Sequence, residues 1–241
     1  MNKGLTSVLA FDRNYSCGRV MVKDKEGRIV HGKPVQPPHS QPWMVTLSAN
    51  KFRFGTYGSY GCGGALISKK HILSVTHCGK RCDVSYRCRC KPVNWATLGD
   101  HDKSKNDGEV YVPITKPYYF HPKSRQNRPP DGAFLYDYVI FILDRCVTYN
   151  DYIQPACLPT QPIVQYVGEL VKVSGWGHTT SHGKETPILQ SIDIEVIDDV
   201  KCDEILKRSK GSIPYSTEYL MCAGDQKNWA KDACQNDSGG E

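Results

Sequence analysis

Short apolar runs alternate with polar, glycine- and proline-punctuated turns over most of the chain. Trp43-Met44-Val45-Thr46-Leu47, Gly64-Ala65-Leu66-Ile67 and His71-Ile72-Leu73-Ser74-Val75 read as strands. So do Tyr138-Val139-Ile140-Phe141-Ile142-Leu143, Leu170-Val171-Lys172-Val173 and Ile192-Asp193-Ile194-Glu195-Val196. Many short strands without helical periodicity predict an all-β barrel or sandwich. One short helix is expected at Asp199 to Lys207. Residues 79–94 and 121–134 read as long polar surface loops, and Lys33 to Pro42 as a proline-rich entry. Residues 1–28 form a polar leader with one cysteine, Cys17. No internal repeat or low-complexity segment is evident.

Composition narrows this picture. A chain of 241 residues, 39% hydrophobic and 23% charged, suits one large globular domain or two small ones. No apolar run approaches the ~20 residues of a membrane span, so no membrane partner is expected. The apolar patch Val8 to Phe11 is too short for a secretory signal core. The true start is therefore expected to lie outside this chain. The net charge of +6 is spread over scattered residues, apart from a cluster at Lys80, Arg81, Arg87, Arg89 and Lys91. No basic stripe with interleaved aromatics appears, which argues against nucleic acid as a partner.

Eleven cysteines are many for a reducing compartment. Cys88-Arg89-Cys90 is too tight for an ordinary zinc ligand pair. A secreted, oxidised, disulfide-held protein is expected. The odd number leaves one thiol without a partner inside the chain.

The chemistry gathers at Cys234-Gln235-Asn236-Asp237-Ser238-Gly239-Gly240-Glu241. A serine on a glycine turn beside exposed backbone N–H groups suits attack on a carbonyl and stabilisation of the oxyanion. Taken alone, the run is only a turn. A base is available in Ser74-Val75-Thr76-His77-Cys78, where His77 ends an apolar strand. An orienting carboxylate is available in Asp137, just before Tyr138 to Leu143. Each residue alone has an ordinary structural reading. The order His77, Asp137, Ser238 is one of the known triad orders.

With those residues in place, the chain resembles the trypsin/chymotrypsin family of serine proteases from Arg28 to Gly240. Arg28-Ile29-Val30-His31-Gly32 resembles the activation junction, and Cys62-Gly63-Gly64-Ala65-Leu66-Ile67 the strand before the histidine. Tyr136-Asp137-Tyr138-Val139, Gln154-Pro155-Ala156-Cys157-Leu158-Pro159, Ser174-Gly175-Trp176-Gly177 and Met221-Cys222-Ala223-Gly224 match further family motifs. The resemblance implies two six-stranded antiparallel β-barrels with the triad at their junction. It divides the chain into a leader or activation peptide, 1–28, and a protease domain, 29–241. The family continues past the position of Gly240, so the second barrel is expected to be incomplete in this chain, lacking C-terminal strands and a helix.

The resemblance assigns roles residue by residue. Ser238 is the nucleophile, His77 the general base and Asp137 its orienting partner. The N–H groups of Asn236 and Ser238 would form the oxyanion hole, and Asp232 the base of a pocket selecting Arg or Lys. Cleavage between Arg28 and Ile29 would free an ammonium that pairs with Asp237. Disulfides are implied for Cys62–Cys78, Cys202–Cys222 and Cys17–Cys157, with the partner of Cys234 beyond Glu241. Cys82, Cys88, Cys90 and Cys146 then allow three pairings, which stay open. The first three lie in an insertion after His77, read either as a cleft-narrowing loop or as a braced surface loop. Asp100, Asp102, Asp107 and Glu109 resemble the family's calcium loop, with a solvated acidic turn as the other reading. No cofactor is required, a structural Ca²⁺ being the one ion the resemblance allows. Asn14-Tyr15-Ser16 is a glycosylation sequon in the leader, whereas Asn236-Asp237-Ser238 overlaps the nucleophile.

Some positions depart from the family pattern. Asn236 stands where glycine is usual, Glu241 where proline is usual, and His31 replaces a glycine. The expected function is a secreted serine endopeptidase made as a zymogen, cutting proteins after Arg or Lys, with an activating protease and protein inhibitors as partners. A non-catalytic homologue acting as a binding module is the alternative. A third reading, a disulfide-stapled structural domain, leaves the triad order unexplained. The junction chemistry makes a direct prediction. Arg28→Gln should stay latent when treated with a trypsin-like activator, measured as turnover of a peptide substrate; full activity would exclude the junction.

Overall fold

Six antiparallel strands close on themselves in the N-terminal half. They are β2 (Met44–Ser48), β3 (Cys62–Ser68), β4 (His71–Ser74), β7 (Trp95–Leu98), β8 (Val110–Tyr119) and β9 (Val139–Leu143). Their order around the barrel is β2-β3-β4-β9-β8-β7 and back to β2. The computed structural model describes residues 16–22, 33–49, 62–82, 90–119, 136–160, 163–177, 186–208 and 220–224. No helix among them is long and apolar enough to cross a membrane.

Alternation explains which side chains fill the barrel. Val45 and Leu47 of β2 point inward and pack with Leu66, Ile72, Ala96, Leu98, Val112, Val139, Phe141 and Leu143. Met44, on the other face of β2, joins Val35, Trp176 and Leu189 in a second core. Strand β2 is buried along its whole length because both its faces are covered. That is why its sequence reads as a continuous apolar run rather than a strict alternation.

The second half contributes β10 (Leu170–Gly175) and β11 (Gln190–Val196), which pair antiparallel. Strands β1 (Lys33–Pro34) and β12 (Ala223–Gly224) each add to β11. Among the described residues this is a four-stranded sheet. The fold is mostly β, with one closed barrel and a second sheet, as the strand pattern predicts. Helix α2 (Asp199–Arg208) follows. Its start is fixed by Asp198, whose Oδ1 accepts from the N–H groups of Val200 (2.9 Å) and Lys201 (3.4 Å).

All three disulfides implied by the family resemblance are present. Cys62–Cys78 joins β3 to the segment after β4, and Cys202–Cys222 ties α2 to the segment before β12. Cys17–Cys157 spans 140 residues and anchors the leader. Gly18 beside it has φ +66° and donates to the Pro155 carbonyl at 2.7 Å. A Cβ there would stand 3.1 Å from Cys157 Sγ.

Two sequence expectations need correction. Residues 79–94 are not simply loop: β5 (Lys80–Cys82) and β6 (Cys90–Pro92) form a two-stranded ribbon. Half of its six residues are charged and one is proline, so no apolar alternation announces it. Strands β7 and β8 were not expected either. Strand β7 has four residues, and β8 carries Pro113, Pro117 and a register shift between Ile114 and Lys116. The 121–134 expectation lies outside the described residues. Among the four unassigned cysteines, Cys146 is free and exposed, and the ribbon register sets Cys82 opposite Cys90.

Barrel closure makes Gly64 a sensitive position. A Cβ on Gly64 would meet Ile72 Cγ2 at 2.8 Å, the Leu73 carbonyl oxygen at 3.1 Å and Leu47 Cδ1 at 3.4 Å. Backbone and a β-branched side chain yield little. Gly64→Ala should therefore destabilise by ~1–3 kcal/mol, read as a lower urea midpoint; an unchanged midpoint would refute this account of the β3–β4 contact.

Candidate active site

Strand pairing positions the site. Strands β4 and β9 are antiparallel neighbours with Ser74 opposite Val139. The chain leaves β4 three residues before His77 and enters β9 two residues after Asp137. Both residues therefore emerge at the same end of the same strand pair. Helix α1 (Thr76–Gly79), a single turn, carries His77. Its neighbour Cys78 is fully buried and disulfide-bonded to Cys62 of β3, while the His77 side chain is 46% exposed. One residue anchors the turn and the next presents an imidazole.

Asp137 holds His77 at two points. Its Oδ2 lies 2.6 Å from His77 Nδ1, and its Oδ1 accepts the His77 backbone N–H at 2.9 Å. A carboxylate only accepts, so Nδ1 bears the hydrogen, and the neutral ring then has its lone pair on Nε2. The backbone repeats the link: Thr76 N–H donates to the Asp137 carbonyl at 3.2 Å. The Asp137 side chain is 18% exposed, sheltered enough for its charge to act on the imidazole. Burial, with the Asp137 charge adding to it, pushes the Tyr138 phenol above its ordinary range.

Two positioning residues escaped sequence reasoning. Thr76 Oγ1 donates to the Tyr138 carbonyl at 3.0 Å, and buried Ser74 Oγ donates to the Gly63 carbonyl at 2.8 Å. Their only sequence signal is hydroxyl residues just before His77. The structure thus brings together two of the three triad residues. Ser238, Asn236, Asp237, Asp232, Arg28 and Ile29 lie outside the described residues.

The acidic loop between β7 and β8 turns its carboxylates onto its own donors. Among the described residues no three His, Cys, Asp or Glu side chains are grouped to hold a metal ion. Its carboxylates serve the loop itself. Asp107 Oδ2 accepts from the N–H groups of His101 (3.2 Å) and Asp102 (2.7 Å). Asp102 accepts from Ser104 and pairs with Lys105 Nζ at 2.7 Å. Glu109 accepts from the Asp107 N–H at 2.8 Å and the Tyr111 hydroxyl at 2.9 Å.

The same loop stitches the two halves together. Leu189 N–H and Trp176 Nε1–H both donate to the His101 carbonyl, at 2.9 and 3.2 Å. Lys103 N–H donates to the Pro187 carbonyl at 2.9 Å, and its ammonium lies 4.6 Å from the centre of the Trp176 ring.

Asp100 is the strained member of this loop. Its Oδ1 is buried without a hydrogen-bond partner among the described residues. Burial, opposed by Lys103 and reinforced by Glu109, Asp107 and Asp102, pushes its carboxyl up to about 7. A raised folded pKa means the folded state holds the proton more tightly. The stability that follows is fully present below pH 3.8 and is lost as pH rises through about 7. Asp100→Asn should flatten the melting-temperature profile over that window and melt above the parent at pH 8; parallel profiles would refute the burial argument.

Comparisons with known proteins agree with this geometry. The chain is 32% identical over 225 residues to the bovine suppressor of tumorigenicity 14 protein homologue, covering 93% of this chain and 24% of that one. It is 25% identical over 247 residues to mouse ovochymase-2, covering all of this chain and 37% of that one. It thus spans well under half the length of either relative. Among solved structures, neuropsin, a serine protease expressed in the limbic system of mouse brain, superposes with a TM-score of 0.66 at 27% identity. That match covers 88% of this chain and 81% of neuropsin. The family model described as Trypsin matches residues 29–240, and the chain belongs to that family.

Proposed function

We propose that this chain is a secreted serine endopeptidase that cleaves proteins after Arg or Lys and is made as a zymogen. The observation that carries the reading is the two-point hold of Asp137 on His77. It fixes the tautomer that a general base needs and aims Nε2 away from the carboxylate. In the proposed reaction His77 takes the Ser238 hydroxyl proton as Oγ attacks the scissile carbonyl. The N–H groups of Asn236 and Ser238 receive the oxyanion. The imidazolium, stabilised by Asp137, then gives its proton to the leaving amine. Water repeats the sequence on the acyl-enzyme. These steps draw on side chains and backbone alone.

Specificity rests on Asp232. A buried carboxylate rewards a cationic substrate side chain and is left unpaired by a neutral one. Activation rests on Arg28, Ile29 and Asp237. A new Ile29 ammonium would neutralise Asp237 and order the serine loop, a switch built from one ion pair. Three disulfides suit an oxidising extracellular setting.

A fluorophosphonate probe on the activated full-length protein tests the reading. Ser238 should be labelled, and Arg-containing peptides should be cleaved in preference to Phe-containing ones. Asp137→Asn should lower kcat by ~10⁴. An unlabelled Ser238 would instead assign the chain to the non-catalytic homologues.

A further inference from the structure

We propose that the Thr76 hydroxyl is a positioning group that keeps Asp137 aligned with His77 during proton transfer, an inference that rests on the endopeptidase reading above. Its bond to the Tyr138 carbonyl, 3.0 Å long, is one of four links between residues 76–77 and 137–138. The others are Thr76 N–H to the Asp137 carbonyl and the two contacts of Asp137 with His77. The first of these uses only the backbone of residue 76 and would form with any residue but proline. The next two belong to the pair itself. Only the bond to Tyr138 requires a hydroxyl at position 76.

The need for that hydroxyl follows from where the strand ladder stops. The β4–β9 register ends at Ser74 opposite Val139. Continued by two residues it would set Thr76 opposite Asp137, but the chain has already turned into α1 at Thr76. Asp137 and Tyr138 precede β9 and belong to no strand. Both Asp137 carboxylate oxygens are directed at His77, so the backbone must hold Asp137 itself in place. Thr76 supplies that hold twice. Its N–H takes the carbonyl of Asp137, and its hydroxyl takes the next carbonyl, that of Tyr138. Two successive peptide planes are fixed, and with them the direction in which the Asp137 side chain leaves the backbone.

The hydroxyl has no local structural use in its own helix. A helical threonine hydroxyl ordinarily returns to a carbonyl three or four residues back. Thr76 is the first residue of α1, and its hydroxyl crosses to a carbonyl 62 residues away. The bond lies at the exposed surface, where water competes for both groups and little folding stability is gained. Alignment is a different matter. Hydrogen bonds weaken steeply as their angle closes. The Asp137–His77 contact matters most when the imidazole takes the Ser238 proton and becomes charged. A small rotation of the 137–138 segment would weaken that contact in the transition state and leave substrate binding untouched.

Thr76→Val and Thr76→Ser separate the hydroxyl from the shape of the side chain on the activated full-length protein. Valine keeps the branched outline and removes the donor. It should lower kcat about fivefold, the value of one net hydrogen bond, with KM unchanged. Serine keeps the donor and should recover most of that loss. A second readout needs no turnover. The NMR resonance of the His77 Nδ1 proton in the uncleaved full-length protein should move upfield in Thr76→Val and stay near the parent position in Thr76→Ser. Parental kcat in Thr76→Val overturns the inference and leaves the endopeptidase reading standing. An equal loss in both variants assigns Thr76 to packing through its methyl group and overturns it too. A Thr76→Val protein that melts well below the parent assigns the bond to stability, with the same consequence. An inactive parent overturns the endopeptidase reading; an Nδ1 resonance unmoved by Thr76→Val then overturns the positioning role as well.

Discussion

The β4–β9 register is the constraint on which the site depends. Sixty residues separate His77 from Asp137, and no local turn brings them together. Their meeting is fixed by Ser74 opposite Val139 and by three further aligned pairs back to His71 opposite Ile142. A one-residue slip of either strand would reverse its faces and move Ile72 of β4 or Phe141 of β9 out of the barrel core. Hydrophobic burial in the barrel therefore sets the His77–Asp137 geometry while neither of those two side chains is itself buried. The disulfide from Cys78 to Cys62 adds a covalent lock one residue from the imidazole.

Holding the two halves together is a separate problem, and the acidic loop solves it. The His101 carbonyl takes two donors from the second half, and Lys103 covers Trp176. That arrangement requires the loop to be rigid, and its rigidity comes from carboxylates folded back onto amides. The cost falls on Asp100, buried among like charges with one oxygen unsatisfied. Three acids beside it are matched to donors, so the electrostatic imbalance is confined to a single group. The loop is thus a strap in which charge is used for shape.

The sequence made the chemistry more legible than the architecture. His77 and Asp137 were identifiable because attack on a carbonyl calls for a base and an orienter and their order with Ser238 matches one known triad order; the structure joins the two. The three disulfide pairs followed from the family resemblance. The barrel strands with unbroken apolar runs, β2, β4 and β9, were equally plain. Strands β7 and β8 were hidden because short length and proline mask alternation. The hydrogen bonds of the acidic loop were hidden for a different reason. Carboxylate spacing reveals oxygen donors, but not whether a cation or a backbone amide will claim them. That choice depends on how Lys105, Ser104 and Tyr111 reach back, which only the folded loop decides.

The ribbon after His77 shows the same division between what a pattern carries and what a register carries. Read along the chain, Lys80, Arg81 and Lys91 are scattered cations in a polar stretch. Only the register sets Arg81 opposite Lys91 and Cys82 opposite Cys90 in one ribbon. The barrel strands announce themselves because each must bury an apolar face, and β2, β4 and β9 carry that requirement in their sequence. A ribbon that pairs with no barrel strand among the described residues carries no such requirement, so nothing apolar marks it. What positions His77 is therefore what the chain states most plainly: the apolar interior that fixes the β4–β9 register.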